Sequence, residues 1–85
     1  MSCYLYILEG KDGYLYTGIT RNIRKRTREH NLRLSRVTKS KRPLKLLYYE
    51  KYENKFSAAK REKEIKGWTR EKKIKLALSA SEMGL

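Results

Sequence analysis

Two short runs rich in Tyr, Leu and Ile, Cys3 to Leu8 and Tyr14 to Thr20, are separated only by Glu9-Gly10-Lys11-Asp12-Gly13. Gly adopts positive φ at no steric cost, so the link is turn chemistry and the two runs read as a β-hairpin. Everything after it has to pack against that hairpin. Asn22 is a residue type favoured at helix N-caps, and Ile23 to Leu34 sets Ile23, Arg26, Thr27, His30 and Leu34 on one helical stripe. Val37 to Pro43 is basic, polar and closed by Pro, which reads as a loop, and Leu44 to Tyr52 supplies a third Tyr-rich strand. A second helix opens at Asn54 or Ser57 and stops near Lys66, with Gly67 expected as an αL terminator. Thr69 can cap a third helix, in which Ile74, Ala77 and Leu78 recur at helical spacing. The order β-β-α-β-α-α predicts an α/β fold: a three-stranded, mostly antiparallel central sheet flanked by three helices.

With 85 residues the chain has room for one domain, expected over residues 1–79, followed by a small, polar, frayed tail at 80–85. Lys and Arg number 22 against nine Asp and Glu, a net charge of +13 spread along the whole chain. Such a surplus lowers the free energy near phosphates and releases counterions when they are neutralised, so nucleic acid is the expected partner. An anionic membrane surface fits the charge alone, because the chain offers no basic helix with a broad apolar face. The N-terminus lacks the pattern of a signal peptide and no run is long and apolar enough for a membrane span, so the expected location is the cytoplasm. With only Cys3 and His30 available as Cys or His, a zinc site is excluded and any metal must bind through oxygen.

Alternation places Tyr4 and Tyr6 on one face of the first strand, and Tyr14, Tyr16, Gly18 and Thr20 on one face of the second. Tyr6 and Tyr16 can therefore meet, either as core rings with polar tips or as proton-transfer groups. Gly18 inside a strand marks close approach by a ligand or another backbone. Arg26 and His30 share the sheet-facing stripe of the first helix. That arginine either buries its stem and exposes its head, or aims a planar fork at a phosphate. His30 reads as a structural hydrogen-bonder or a catalytic group. Glu62 falls on the apolar side of the second helix with Ala58, Ala59 and Ile65, where it needs an ion-pair partner or a bound cation. Arg33, Arg36, Lys39, Lys41 and Arg42 cluster from the first helix to the third strand and, with Lys66 and Gly18, form the candidate nucleic-acid contacts. Trp68, at a helix junction, reads as a packing anchor.

These positions resemble the GIY-YIG nuclease superfamily, especially its small stand-alone bacterial members. Tyr4-Leu5-Tyr6 stands where the family has Gly-Ile-Tyr, and Tyr16-Thr17-Gly18 where it has Tyr-Ile-Gly. Arg26 follows at the helical arginine and His30 at the family's His or Tyr. Arg42-Pro43, Leu47-Tyr48-Tyr49-Glu50, Ala59, Lys66-Gly67-Trp68 and Lys73 look like the rest of that branch, with Glu62 at the metal-binding glutamate. Tyr4 replaces the motif's first Gly, and Ile19 stands where repair-type members carry a lysine.

The resemblance implies a metal-dependent endonuclease that hydrolyses phosphodiesters in DNA, with RNA as a further candidate substrate. Its catalytic set would be Tyr6, Tyr16, Arg26, His30 and Glu62, with Glu62 holding one Mg²⁺ or Mn²⁺. Arg26 would stabilise charge on the phosphoryl oxygens, and Tyr16 or Tyr6 would take the proton of the attacking water. The latter requires a phenol pKa well below the usual value of about 10. Structure-selective action in repair or recombination is the expected setting. The alternative is a catalytically weak or inactive nucleic-acid-binding module on the same scaffold, with a protein partner supplying target recognition.

Overall fold

The computed structural model describes residues 2–32 and 38–82, with Lys39, Ser81 and Glu82 described through their backbone. Strands β1 (Cys3–Glu9) and β2 (Leu15–Thr20) form the expected hairpin, followed by helix α1 (Ile23–Asn31), strand β3 (Lys45–Tyr52) and helices α2 (Lys55–Lys66) and α3 (Arg70–Glu82). The sheet order is β2-β1-β3, and both pairings are antiparallel. The hairpin turns through two successive left-handed residues, Asp12 (φ 59°) and Gly13 (φ 74°), closed by Tyr14 N donating to Lys11 O at 3.2 Å. An Asp-Gly pair suits this mirror-image turn, whose twist matches that of the strands it joins.

The central strand β1 is covered on both sides, which is why it reads as a nearly continuous apolar run. On one face Leu5 and Ile7 pack with Ile65 of α2, joined by Leu76 of α3, Trp68 and the partly buried Leu15, Ile19, Tyr48 and Tyr52. On the other, Tyr6 and Leu8 pack with Leu44, Tyr16 and Ile23 of α1. Trp68 is the expected packing anchor, with Lys72 Nζ 4.3 Å and the Arg61 guanidinium 5.1 Å from its ring centre.

Side-chain caps fix the helix starts. Asn22 Oδ1 accepts from Lys25 N at 3.0 Å, Asn54 Oδ1 from Ser57 N at 2.9 Å and Thr69 Oγ1 from Lys72 N at 3.2 Å, so Asn54 and not Ser57 opens α2. Three sequence expectations are corrected. Helix α1 ends at Asn31 and not at Leu34, because the Asn31 amide turns to the backbone of Leu44, donating to its O at 2.8 Å and accepting from its N at 2.7 Å; Leu34 lies outside the described residues. Gly67 is right-handed (φ −82°), and α2 closes through Gly67 N to Glu64 O and Trp68 N to Ile65 O, with no αL residue. Helix α3 continues to Glu82, past the expected boundary at residue 79. The basic stretch before β3, expected to be a loop, also contains a single 3₁₀ turn at Lys39–Lys41.

An ionic cluster seats α2 on β3. Glu50 accepts from Tyr48 and from Tyr52 (2.6 Å), its neighbours two residues away on the same strand face, and from Arg61 Nε (3.0 Å) and Nη2 (3.2 Å) on α2. Arg61 also pairs with Glu64. Burial alone would raise the Glu50 pKa, but these donors outweigh it and hold the carboxyl below its usual range. Because Glu62 is the next residue after Arg61, this cluster also fixes how α2 presents Glu62.

Candidate active site

Strand register builds the floor of the site. Tyr6 pairs with Gly18 and Leu8 with Tyr16, so Tyr6 and Tyr16 are diagonal neighbours on the α1 face, with ring centres 6.2 Å apart. A Cβ on Gly18 would lie 2.8 Å from the Tyr6 hydroxyl and 3.0 Å from Tyr16 Cε2. The close approach expected at Gly18 is therefore made by the two tyrosines. Gly18 is buried beneath them, which corrects its assignment as a nucleic-acid contact.

Helix α1 brings Arg26 and His30 over that floor. His30 is fully buried, its ring centre 4.8 Å from that of Tyr16. Its Nε2 lies 3.1 Å from Tyr6 Oη and its Nδ1 2.7 Å from Thr38 Oγ1. Burial, and then the positive charge of Arg26, lowers the His30 pKa, so the ring is neutral at pH 7. The positive charge of Arg26 acts on Tyr6, opposing the rise of the phenol's pKa. A protonated phenol donating to Nε2, with the ring hydrogen on Nδ1 donating to Thr38, satisfies all three groups. Arg26 also donates to Glu29 Oε1 at 3.3 Å, and its interactions with Tyr6 and Glu29 outweigh burial to keep it charged.

The Tyr6 pKa is pushed up to about 12, chiefly by burial, with Arg26 opposing the shift and Tyr16 and Glu62 adding to it. At 1% exposed and protonated at neutral pH, Tyr6 is a poor proton acceptor for water. That shift runs opposite to what the expected general-base role requires, and Tyr16, half-buried, is the better placed of the pair.

Glu62, on α2, is not in hydrogen-bond contact with this group among the described residues; its charge adds slightly to the upward shift at Tyr6. Its side chain is 22% exposed and pairs with Lys66 Nζ at 3.2 Å, so the ion-pair partner anticipated for it is present. Such i,i+4 pairs contribute only about 0.3–0.5 kcal/mol, and Lys66 is itself 54% exposed, so the carboxylate is readily released. Among the described residues no group of three or more His, Cys, Asp or Glu is arranged to hold a metal. A lone accessible carboxylate fits a divalent ion that keeps several waters and takes further ligands from substrate phosphate.

The other expected nucleic-acid contacts divide. Arg33 and Arg36 lie outside the described residues. Lys41 Nζ sits 5.7 Å from the centre of the Tyr14 ring, and Arg42 Nη1 donates to Asn31 O at 3.3 Å, so both also brace the fold. Thr38 escaped the sequence reading, because nothing in a basic loop marks one threonine as the partner of a histidine eight residues earlier.

The central strand under α1, the paired tyrosines and the helical Arg and His together define a GIY-YIG catalytic domain, whose family model matches residues 2–75. The chain belongs to this nuclease family. It is 47% identical over 74 residues to a UPF0213 protein of Staphylococcus saprophyticus, covering 86% of this chain and 90% of the relative. It is 45% identical over 76 residues to a UPF0213 protein of Staphylococcus aureus, covering 88% and 93%. The solution NMR structure of the UPF0213 protein from Bacillus halodurans superposes with a TM-score of 0.58 at 35% identity, covering 89% of this chain and 82% of that one. The family's nucleases generally use divalent metal ions and act on nucleic acid. No helix among the described residues is long and apolar enough to cross a membrane.

Proposed function

We propose that this protein is a metal-dependent endonuclease that hydrolyses phosphodiester bonds in DNA, selecting its substrate by structure more than by base sequence. The observation that carries the reading is the packing of Tyr6, Tyr16 and His30 against one another under the helix that carries Arg26, with Tyr6 bonded to His30. Arg26 stabilises the charge that builds on the phosphoryl oxygens. Tyr16 is the general base toward the attacking water, while the new P–O bond forms and the leaving oxygen departs with the electron pair of the old one. Tyr6, held protonated and bonded to His30, orients the imidazole beneath Tyr16. Glu62 would hold Mg²⁺ or Mn²⁺, which when bound neutralises the scissile phosphate and the leaving oxygen. The proposed setting is the cytoplasm, in DNA repair or recombination.

The test is cleavage of labelled single-stranded, duplex, flap and branched DNA, and of RNA, with Mg²⁺, Mn²⁺ or chelator, beside folded Glu62→Ala and Tyr16→Phe. Divalent-dependent cleavage of DNA that is lost in both variants is expected; full activity in either folded variant overturns that residue's role. The high pKa of Tyr6 and the Glu62–Lys66 pair favour a second reading, a weak or inactive nucleic-acid-binding module that needs a protein partner. Salt-sensitive DNA binding without cleavage under any divalent ion would establish it.

A further inference from the structure

Across α1 from the Tyr6–His30 pair, helix and sheet enclose an open groove of ≈ 790 Å³ between Arg21, Arg24 and Arg28 on one side and Tyr4, Leu46 and Tyr49 on the other. Tyr4 and Tyr6 lie on the same face of β1, about 6–7 Å apart along the strand, so the groove adjoins the active site without sharing its side chains. The rings of Tyr4 and Tyr49 meet edge to face with centres 6.0 Å apart. Tyr49 is 55% exposed and Leu46 40% exposed, an unusual amount of aromatic and aliphatic surface to leave bare on a small domain. Arg24 and Arg28 are exposed and stand one helical turn apart above this floor, and among the described residues no carboxylate lines the groove.

We propose that this groove is a subsite for unpaired nucleotides, in which Tyr49 and Tyr4 stack a splayed-out base while Arg24 and Arg28 hold the flanking phosphates. The proposal rests on the nucleic-acid reading given above. Duplex DNA would use the arginines alone, because its base faces are covered by their neighbours in the stack. An exposed ring face gains by contact only with a base that is out of the helix. Guanidinium groups over an aromatic floor match that ligand in both charge and shape. A single-stranded branch held beside the Tyr6 site would give a domain with no base-reading element a way to select flaps and junctions.

The probe is fluorescently labelled oligo-dT and a duplex of equal length, titrated by anisotropy against the full-length protein, with poly-Glu peptide as a second polyanion. Tyr49→Ala is expected to weaken oligo-dT binding about 5- to 150-fold, since a stacked base contributes ~1–3 kcal/mol, and to leave duplex binding within about twofold. Tyr49→Phe should restore it. Arg24→Ala with Arg28→Ala is expected to reduce the slope of log affinity against log salt by about 1–1.5 for the single strand. Circular dichroism confirms that each variant is folded. Unchanged oligo-dT binding by Tyr49→Ala, or equal loss for single strand and duplex, overturns the groove assignment while the endonuclease reading stands. Wild-type protein that binds neither DNA overturns both. Poly-Glu that binds as tightly as oligo-dT, with the same loss in Tyr49→Ala, overturns the nucleotide assignment in favour of an acidic peptide.

Discussion

Tyr6 and His30, 24 residues apart in sequence, share a hydrogen bond of 3.1 Å that is closed to solvent on both sides. The phenol remains protonated because burial raises its pKa, and the imidazole remains neutral because burial lowers its own. Each group is thereby held in the form the other needs, a donor facing an acceptor.

This coupling sets a pH dependence. The His30 pKa is lowered in the fold from its ordinary 6.5, so the folded state resists protonation more than the unfolded chain does. The stability it contributes is fully present above pH 6.5 and is lost as pH falls through the folded value. Cleavage should fall over the same range, because a protonated ring cannot accept from Tyr6. Melting temperature recorded from about pH 5 to pH 8 should be flat above 6.5 and decline below it, and the cleavage rate should drop over that same decline. In His30→Gln the decline in stability should disappear. A wild-type profile level throughout that range would refute the coupling.

Thr38 supplies the other end of the chain. It is fully buried and bonded to His30 Nδ1 at 2.7 Å. Thr38→Val keeps the shape but strands a buried ring nitrogen, which should cost roughly 1–3 kcal/mol of stability. Thr38→Ser should recover most of that loss. Because Thr38 acts through His30, the Val variant should also move the acid limb of the cleavage profile. A lower melting temperature with an unmoved acid limb would assign Thr38 to packing alone.

Gly18 sets how closely the two tyrosines approach. Gly18→Ala would drive its Cβ against the Tyr6 hydroxyl and the Tyr16 ring edge, at 2.8 and 3.0 Å, and overpacking of this kind costs about 1–3 kcal/mol. Part of the clash is with the oxygen itself, so Tyr6→Phe should relieve some of it. The double variant is therefore expected to be more stable than the sum of the single losses predicts. Strict additivity in urea denaturation would show that the contact is not felt.

How far the sequence could be read depended on the range of each signal. The hairpin, the caps at Asn22 and Thr69 and the order of elements rest on local chemistry, and they match the structure. The convergence of Tyr6, Tyr16, Arg26 and His30 was legible because alternation and helical spacing carry positions on β1, β2 and α1 to one face. What stayed hidden came from pairings with no local signature. Asn31 ends α1 early by binding Leu44, Thr38 reaches back to His30, and Glu50 gathers two tyrosines and Arg61. The protonation of Tyr6 was also out of reach, because pattern reports which face a phenol occupies and not how completely that face is sealed.

The Glu50 cluster should govern acid stability. Glu50 and Arg61 are mostly buried, at 17% and 23% side-chain exposure, and Tyr48 and Tyr52 complete the carboxylate's bonds. Burial opposes the charge, but the donors prevail and the folded pKa lies below the ordinary 4.5. The resulting stabilisation is present above pH 4.5 and is lost as pH falls through the folded value. Glu50→Gln keeps the volume and removes the charge, leaving Arg61 with Glu64 alone. A loss of about 1–3 kcal/mol at neutral pH is expected, which at this size lowers the melting temperature by roughly 4–8 °C per kcal/mol. Between roughly pH 3 and pH 5 the variant's stability should vary less steeply than that of the wild type. Parallel curves over that range would mean that acid sensitivity arises elsewhere, and that the tyrosines and Arg61 hold α2 in place without drawing on the Glu50 charge.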